Sequence, residues 1–350
     1  MDGVIAGYSE FRIENMIKLC NRLGLPCYIN EDQLTITRDK IKFKDCCRKY
    51  GVPVVKEYAG IDDVDAYPVI VKPTDRAGSI GISIASDYDE LVRAYQYAYE
   101  LSVEKRVIIE QFIYNADKVD FYYLVESGEI TLISSCDTVN AKNNGFSKVV
   151  QTAWLYPERR QQAYDRTVRK YVEAMIRGIG IQNGCIFFSG FVDKNDNFVF
   201  FECGYRLEGA HQYYYTEKRG PVNFLDSFIS HSLWGNNSIV KHKAVNEKMK
   251  CVTVNVFAKS GEISQIDGAA DIATMKNCTL SLVHGRVGQK CDETKAILDK
   301  IGVFAFSSES TEELIQDVNE MYQKLKITDT NGNDMIFDRL DAEVIRSWWR

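Results

Sequence analysis

A mixed α and β fold with more than one lobe is predicted by three features of this 350-residue sequence. Helical periodicity alternates with β-rich runs along the whole chain, and the middle of the chain carries two hairpin signals. The length, with 45% hydrophobic residues, suffices for two or three cores. No repeat or low-complexity tract is present, so changes in secondary-structure rhythm mark the boundaries.

Elements of the first third follow from apolar spacing and from glycine or proline breaks. In order, they are a strand at 3–6, a helix from Glu10 to Leu23, a return strand after the Gly24-Leu25-Pro26 break, a helix from Lys40 to Tyr50, short strands at 52–55 and 68–71 around a turn at 62–65, a helix from Tyr88 to Leu101 and a strand from Arg106 to Gln111.

The middle of the chain predicts an antiparallel sheet, because two pairs of strands are each joined by a short turn. The remaining elements follow from helical or alternating spacing and from turn residues. In order, the elements are a hairpin of 120–125 and 129–134, a helix at 157–179, a hairpin of 184–193 and 197–202, a helix at 221–233, a polar break at 235–238, a strand at 251–257, a helix at 292–301, a strand at 302–307 and a helix at 311–325.

Composition argues against several classes of partner. The net charge of −6 and pI near 5.5 give no broad attraction to nucleic acid or to anionic membranes. The ten cysteines are scattered without zinc spacing, as in a cytoplasmic protein with reduced thiols. Neither a signal sequence nor an apolar run of ~20 residues is present. We therefore expect a cytoplasmic protein with no nucleic-acid or membrane partner.

The segment from Tyr67 to Gly81, YPVIVKPTDRAGSIG, is the first candidate for chemistry. Lys72 ends an apolar strand and precedes a loop of small residues, so an ammonium group and free backbone N–H groups could surround phosphate oxygens. The alternative is an ordinary strand end with a surface turn. The loop is neither Gly-x-Gly-x-x-Gly nor a Walker A sequence, which disfavours dinucleotide-binding and P-loop folds.

Two further strands end in acids. Glu110 closes the apolar strand that starts at Arg106, and an acid followed by an apolar linker suits an adenine edge; the alternative is a solvated strand-end acid. Glu202 follows Phe198-Val199-Phe200-Phe201, with Arg206 one turn later. A carboxylate there suits Mg²⁺, and a guanidinium suits a carboxylate or a phosphoryl group. The alternative is a structural Glu202–Arg206 ion pair.

In this order and at these distances, the three segments resemble the ATP-grasp superfamily, which includes carbamoyl-phosphate synthase, phosphoribosylglycinamide synthetase and amino-acid ligases. The resemblance covers roughly 39–233. It implies two α+β subdomains that grip ATP between antiparallel sheets, preceded by a truncated α/β piece. The implied domains are a remnant of the preceding domain at 1–38, a small lid subdomain at 39–113, a large catalytic subdomain at 114–236 and an α+β extension at 237–350.

The resemblance also implies roles for particular residues. Lys40 and Lys72 would contact the ATP phosphates, Glu202 would hold Mg²⁺ as metal ligand and catalytic residue, and Arg206 would be catalytic. Apart from the resemblance, Lys142 and His211 are candidates for the substrate side; the alternatives are a solvated loop for Lys142 and a hydrogen-bonded loop histidine for His211. The remaining ATP-binding residues would be the loop residues Thr74, Ala77, Gly78, Ser79 and Gly81, which close over the β- and γ-phosphates, and the adenine hinge Glu110, Gln111, Phe112 and Ile113.

Three departures from the family pattern bear on activity. An acid usually stands where this chain has Ser189, and an Asn usually stands where it has Gly204, which weakens the metal site. A complete α/β domain usually precedes the core, whereas 38 residues precede Asp39 here. The chain is therefore expected to be truncated, split or paired with a partner.

The resemblance implies a carbon–nitrogen ligase that uses ATP and Mg²⁺ to join a small carboxylate and an amine through an acyl phosphate. A nucleotide-binding regulatory or scaffold protein without turnover is the alternative that the departures favour. An unrelated α/β domain is the third possibility. The expected partners are a second copy in a homodimer or a separate N-terminal subunit.

Overall fold

The computed structural model describes residues 2–76, 80–142, 150–209, 211–237, 240–293 and 298–349. The helices are α1 Glu10–Leu23, α2 Glu31–Arg38, α3 Lys40–Tyr50, α4 Tyr88–Leu101, α5 Gln161–Thr167, α6 Arg169–Gly178, α7 Tyr213–Arg219, α8 Phe224–Trp234, α9 Ala269–Ala273, α10 Thr311–Lys324 and α11 Ala342–Trp348. The strands are β1 Glu57–Tyr58, β2 Val69–Pro73, β3 Ser83–Ala85, β4 Val107–Gln111, β5 Asp117–Glu126, β6 Glu129–Asn140, β7 Gln151–Tyr156, β8 Gly184–Val192, β9 Phe198–Gly204, β10 Lys250–Phe257, β11 Gly261–Asp267, β12 Cys278–Val283, β13 Lys290–Cys291, β14 Lys300–Ser308 and β15 Lys326–Asp329.

Three helices, α1, α3 and α4, have the predicted bounds, and a local signal marks at least one end of each. Asp39 caps α3 by accepting hydrogen bonds from the N–H groups of Ile41 and Lys42, and Gly51 ends it in the left-handed region at φ +76°. Asp87 caps α4 by accepting from the N–H of Glu90. The predicted central strands and both hairpins are also present, with ends that differ by a few residues.

The first 38 residues differ from the prediction. Residues 3–6 form no strand, and the predicted return strand is absent, because the next element is the helix α2. A capping box starts α2: Asn30 accepts from the N–H of Gln33, and the Gln33 side chain accepts from the N–H of Asn30. Residues 52–55 contribute one isolated bridge, Val54 to Phe200, in place of a strand.

Two further predicted helices differ in part from the structure. The helix at 157–179 is divided into α5 and α6 at Val168, whose φ of −119° departs from helical geometry. The predicted helix at 292–301 partly overlaps 294–297, which lie outside the described residues, and its end is extended chain because β14 begins at Lys300. Apolar spacing in a short window did not distinguish a helix from a buried strand there.

By contacts, the chain divides into two units. The first contains 1–134, 160–211 and 222–242, and the second contains 135–159, 212–221 and 243–350. Each unit combines three separate stretches of the chain, so this division does not test the domain boundaries predicted after residues 38, 113 and 236. Those boundaries remain predictions. In the part of the chain that the structure describes, no helix is long and apolar enough to cross a membrane.

Two antiparallel strand arrangements build the first unit. One has the order β1-β4-β2-β3, with α4 packed against β2 and β3, and the other has the order β6-β5-β8-β9. The core of the larger arrangement includes Phe121, Phe188 and Phe200, with inward-facing residues of α1, α3 and α6. These strands carry Lys72, Glu110 and Glu202.

In the second unit, antiparallel strands follow the order β12-β14-β10-β7-β6, and α10 packs on β10 and β14. Its own core includes Val254, Phe304 and Leu314. The C-terminal helix α11 packs on α10, and the Trp348 indole N–H donates to the Asp137 carboxylate at 2.8 Å. The Trp349 indole N–H donates to the Pro157 carbonyl at 3.4 Å, so both terminal tryptophans are held within this unit.

Candidate functional site

A polar cavity of about 130 Å³ lies in the first unit. It contains three residues that the sequence analysis singled out, Lys40, Glu202 and Arg206, which are far apart in sequence. The volume is below the roughly 300–1,000 Å³ of pockets that enclose drug-sized ligands, so the cavity fits a small polar group. Its lining residues are Glu10, Thr37, Arg38, Lys40, Phe43, Asp75, Arg76, Glu202, Cys203 and Arg206.

Lys40 is held at the start of α3, where Asp39 is the helix cap. Its ammonium group donates to the Arg76 carbonyl oxygen at 2.9 Å, which ties the helix to the predicted phosphate loop. A helix N-terminus carries partial positive charge, and a lysine at its first position adds a full one. This corner of the cavity therefore favours an anion such as a phosphate.

Lys72 and Glu110 meet in a buried charge cluster that includes Lys44. The two residues lie on adjacent strands, and the Lys72 ammonium is 2.5 Å from the Glu110 carboxylate. Lys44, which is fully buried on α3, contacts the other oxygen of Glu110 and lies 3.5 Å from Glu57. Glu110 is 1% exposed, so the alternative of a solvated strand-end acid is wrong.

Electrostatics favour the ionised form of Glu110 and oppose that of Lys44. Burial opposes ionisation of Glu110, but the ammonium groups of Lys72 and Lys44 outweigh it, and the pKa of the carboxyl lies below its usual value. Burial lowers the pKa of Lys44, against the attraction of Glu110. Lys44 was missed by the sequence analysis, since nothing in its spacing distinguished it from other helical lysines.

Glu202 shares one face of the sheet with Ser189 and Asp120. The strand register pairs Ser189 with Glu202 and Asp120 with Ser189, and directly opposed residues of neighbouring strands project to the same side. Ser189 therefore stands opposite Glu202, where the resemblance places an acid. Its hydroxyl donates to the buried Asp120 carboxylate at 2.5 Å, and Lys118 lies 2.9 Å from that carboxylate.

The carboxylate of Glu202 is exposed to the cavity, while Arg206 pairs with a different acid. The Arg206 guanidinium lies 3.5 Å from Glu10, so the alternative of a Glu202–Arg206 ion pair is wrong. Glu10 was missed because its position near the N-terminus, 196 residues away, gave no spacing signal.

Gly204 stands where the ATP-grasp pattern usually has an asparagine, and a neighbouring side chain explains the difference. Its register partner on β8 is Phe187, and a Cβ atom at position 204 would lie 2.5 Å from the Phe187 ring. The ring also lies 5.1 Å from the Arg206 guanidinium carbon, a distance suited to a cation–π contact. Phe187 therefore occupies the space that a larger side chain at position 204 needs.

Restoring the family residue by Gly204→Asn is expected to destabilise the fold by about 1–3 kcal/mol, because the new side chain overlaps the Phe187 ring. The double variant Phe187→Ala with Gly204→Asn should be more stable than the sum of the two single losses predicts, since the smaller residue makes room. Urea unfolding of the four proteins measures this coupling. Strictly additive losses would show that the ring does not exclude the side chain.

Glu208 and Tyr122 form a second polar contact beside this face. The Tyr122 hydroxyl donates to Glu208 at 2.5 Å. Burial, with the Asp120 carboxylate as a further contribution, raises the pKa of Glu208 to about 7. A carboxyl group with this pKa can exchange a proton near neutral pH. The sequence signal that could have identified Glu208 is its position two residues after the candidate Arg206.

Part of the predicted phosphate loop is described. Thr74 is buried, and its N–H donates to the Arg106 carbonyl at 3.2 Å. Gly81 adopts φ +77°, and a Cβ atom there would lie 2.8 Å from Pro73, so the position requires glycine. Ala77, Gly78 and Ser79 lie outside the described residues.

The predicted adenine hinge follows β4. The N–H of Gln111 donates to the Lys56 carbonyl and that of Phe112 to the Pro68 carbonyl, at 3.0 and 3.2 Å. Phe112 and Ile113 are half-buried, and Gln111 is exposed. Two hinge N–H groups are thus already bonded within the protein, and adenine contacts by the hinge remain a prediction.

The two predicted substrate residues have different surroundings. Lys142 belongs to the second unit, where its exposed ammonium lies 3.0 Å from Asp341. His211 belongs to the first unit, adopts φ +56° and makes an edge contact with Tyr8 at 6.3 Å between ring centres. Neither residue lines the cavity. Their role with substrate remains a prediction.

The residues present limit how a metal could be held. Within the described ranges, no group of three or more His, Cys, Asp or Glu side chains is arranged to hold a metal ion. Ser189 is bonded to Asp120, and Phe187 occupies the space beside Gly204. Glu202 can still offer a carboxylate oxygen, and Mg²⁺ commonly takes its other ligands from water and nucleotide phosphates. The geometry fits Mg²⁺ that arrives with a nucleotide.

Comparison with known proteins supports a nucleotide site. Residues 39–216, just over half of the chain, match the family described as "Carbamoyl-phosphate synthase L chain, ATP binding domain". The sequence is 26% identical over 216 residues to the 2-oxoglutarate carboxylase small subunit of Hydrogenobacter thermophilus, covering 57% of this chain and 44% of that protein. It is 28% identical over 165 residues to the carbamoyl phosphate synthase large chain, N-terminal section, of Methanopyrus kandleri, covering 43% of this chain and 28% of that protein.

The chain thus spans less than half the length of these curated relatives. Among solved structures, it is similar to the L-amino acid ligase from Bacillus licheniformis, with a TM-score of 0.75, 20% identity and coverage of 95% of this chain and 81% of that one. At this identity the likeness concerns the fold. It confirms the ATP-grasp fold that the motifs predict.

Proposed function

Because this chain belongs to the carbamoyl-phosphate synthase L chain ATP-binding domain family, we propose that it is an ATP-dependent carboxylate-amine ligase that acts through an acyl phosphate. The observation that carries the proposal is the cavity that brings Lys40, Glu202 and Arg206 together. A lysine at a helix start, a free carboxylate and a guanidinium are the groups that phosphoryl transfer to a carboxylate needs.

The reaction has two steps. A carboxylate oxygen of the substrate bonds to the γ-phosphorus of ATP while the bond from that phosphorus to the β-phosphate oxygen breaks, and ADP leaves. The amine nitrogen then bonds to the acyl carbon, the bond from that carbon to the phosphate oxygen breaks, and the amine proton passes to solvent. No covalent bond to the protein forms, so the protein contributes positioning and charge.

The side chains have separate tasks in these steps. Lys40 and Lys72 hold the α- and β-phosphates, and the loop from Thr74 to Gly81 excludes water. Arg206 orients the carboxylate and steadies the acyl phosphate. Glu202 would hold Mg²⁺, which would supply charge neutralisation at the phosphates.

Lys72 must share or leave Glu110 to reach a phosphate, since its ammonium is 2.5 Å from that carboxylate. Lys44 supports this exchange because it contacts the other oxygen of Glu110. The carboxylate then keeps one counter-charge when Lys72 moves. Without Lys44, release of Lys72 would leave a buried, unpaired carboxylate, which is costly.

The test is a phosphate-release screen of carboxylic acids crossed with amines in the presence of ATP and Mg²⁺. We expect ADP formation that requires both an acid and an amine, and we expect Lys40→Met to weaken it by about tenfold or more, as when a charge-assisted phosphate contact is lost. Lys42→Met, an exposed lysine of the same helix outside the cavity, is the matched control. ATP binding without acid-dependent phosphate release on the whole panel would contradict the ligase proposal.

The second candidate is a nucleotide-binding regulatory or scaffold protein without turnover. It is favoured by the Ser189–Asp120 hydrogen bond and by the Phe187 ring beside Gly204, which together occupy two usual ligand positions. Calorimetric titration with ATP separates the two candidates. Tight binding that is independent of Mg²⁺ and gives no ADP would favour this one.

A partner chain belongs to the same proposal. The relative from Hydrogenobacter thermophilus is, by its name, a subunit, and we infer that this chain also works with a second polypeptide or as a homodimer. We further propose a cytoplasmic location, with a small carboxylate and a small amine as substrates. Light scattering at several concentrations tests the oligomeric state directly.

A further inference from the structure

Glu208 follows Arg206 by two residues and is bonded to a tyrosine on the sheet face that carries Glu202. The Tyr122 hydroxyl donates to the Glu208 carboxylate at 2.5 Å. Tyr122 lies on β5 two residues after Asp120, and the strand register places Asp120 in one row with Glu202. Residues two apart on a strand project to the same face. The Glu208 carboxylate therefore lies beside the surface on which the phosphates are proposed to bind.

A chain of ring contacts connects Glu208 with Arg206. The Phe187 ring lies 5.1 Å from the guanidinium carbon of Arg206 and 6.1 Å from the centre of the Tyr122 ring, and Tyr122 in turn holds Glu208. The charge of Arg206 also acts on Glu208, because it lowers the pKa of this carboxyl against the larger effect of burial. Glu208 is thus a neighbour of the group that binds the acyl phosphate in the proposed reaction.

The surroundings of Glu208 give it a proton affinity suited to neutral pH. Burial raises the pKa of Glu208 to about 7, with the Asp120 carboxylate as a further contribution. A carboxyl group with this pKa can both accept and release a proton near pH 7. In the part of the chain that the structure describes, the titratable and charged groups that act on it are Asp120, Lys118 and Tyr122 of β5, Cys185 of β8 and Arg206 of its own loop.

The other carboxylates of this region have partners of a different kind. Glu10 and Asp120 each lie against a cationic side chain, at 3.5 and 2.9 Å. Glu202 is the proposed ligand of Mg²⁺. An acid that is paired with a cation loses this attraction when it accepts a proton. Glu208 is bonded to a neutral hydroxyl instead, so it is the carboxylate best suited to proton transfer.

We propose that Glu208 is the general base of the second step and takes the proton of the attacking amine. The amine nitrogen bonds to the acyl carbon, and the bond from that carbon to the phosphate oxygen breaks with its electron pair left on the phosphate. The proton passes from the nitrogen to the Glu208 carboxylate, which then releases it to solvent. This inference rests on the proposed function and adds a catalytic residue to it.

Hydroxylamine separates the two steps, because it is uncharged at neutral pH and attacks an acyl phosphate without a base. With the acids and amines of the phosphate-release screen, we expect Glu208→Gln to lower amide formation by about 10²–10⁴-fold, the usual contribution of a general base. Hydroxamate formation from hydroxylamine should stay at the wild-type rate. Glu126→Gln, which changes another half-buried acid of this unit outside the cavity, is the matched control and should leave both rates unchanged.

The pH profile tests the base directly. With the amine concentration expressed as free base, kcat/KM of the wild-type protein should rise with pH and level off above about 7, the pKa of Glu208, since the carboxylate form accepts the proton. Glu208→Gln should lose this bend. Tyr122→Phe should move the bend to higher pH, because the hydrogen bond from the hydroxyl lowers the pKa of Glu208. A tyrosine with a purely structural role would not shift it.

The outcomes distinguish this inference from the proposed function. Absence of hydroxamate from every acid with wild-type protein would contradict the ligase proposal and this inference with it. Hydroxamate formation together with wild-type amide formation in Glu208→Gln would overturn the inference alone. An equal loss of both products in a folded Glu208→Gln protein would also overturn it, because the residue would then act before the amine attacks. If that variant does not fold, an unshifted bend in Tyr122→Phe overturns the inference.

Discussion

Replacing Glu202 with alanine is expected to lower carboxylate-dependent ADP release by about 10²–10³-fold, the range found when one electrostatic group is removed from an active site. Glu202 is exposed on β9 and lines the cavity that contains Lys40 and Arg206. Because the residue opposite Glu202 is Ser189, that register position offers no second carboxylate to replace the lost one. Steady-state kinetics with saturating ATP and Mg²⁺ measure the loss.

The fold should not change in this variant. An exposed side chain with no bonding partner in the described parts of the chain contributes little to stability, so urea unfolding should shift by no more than about 0.5 kcal/mol. Glu129→Ala, an exposed strand acid that does not line the cavity, is the matched control and should leave turnover unchanged. If Glu202→Ala retains wild-type turnover, the assignment of this carboxylate to the metal is wrong.

Replacing Glu110 with leucine is expected to destabilise the protein by about 3–5 kcal/mol, the usual cost of removing one partner from a buried ion pair. The side chains of Lys44 and Lys72 are 0% and 10% exposed, so away from water Lys72 would lose its counter-charge and Lys44 would keep only the more distant Glu57. The free energy of unfolding in urea, with circular dichroism as the probe, measures the change. ATP binding should weaken as well, because Lys72 would no longer be positioned.

Two comparisons test the cause of this loss. Adding Lys44→Met to Glu110→Leu should recover part of the stability, since the most deeply buried cation is then removed with its partner. Glu57→Leu should cost less than Glu110→Leu, because Glu57 is 18% exposed and lies 3.5 Å from Lys44. A double variant that is no more stable than Glu110→Leu alone would refute the buried charge cluster as the cause.

The same cluster predicts how stability depends on acid. The pKa of Glu110 is lower in the folded protein than its usual value of 4.5, because of Lys72 and Lys44. The unfolded state therefore binds this proton first, and the contribution to stability is fully present above pH 4.5 and is lost as pH falls through the lowered value. Glu110→Gln should remove this part of the acid dependence.

Local signals determined much of the fold. The helices α1, α3 and α4 have their predicted bounds because the signals that set them are local. These signals are the apolar spacing within each helix, together with an N-cap residue or a C-terminal glycine next to it. The Asp39-Lys40 start of α3 is one such signal. Predictions failed where a long-range partner decided the conformation, as at 52–55, where Val55 bonds to the Phe200 carbonyl.

The sequence by itself placed Lys72, Glu110, Glu202 and Arg206 at or beside strand ends, and the family resemblance added Lys40 as a candidate. Only the tertiary structure decided their partners. It paired Arg206 with Glu10, joined Lys44 to Glu110, engaged Ser189 with Asp120 and set Phe187 beside Gly204. These contacts join residues that are on different elements. Strand register, burial and packing determine such pairs, and they cannot be predicted from the spacing of residues in the sequence.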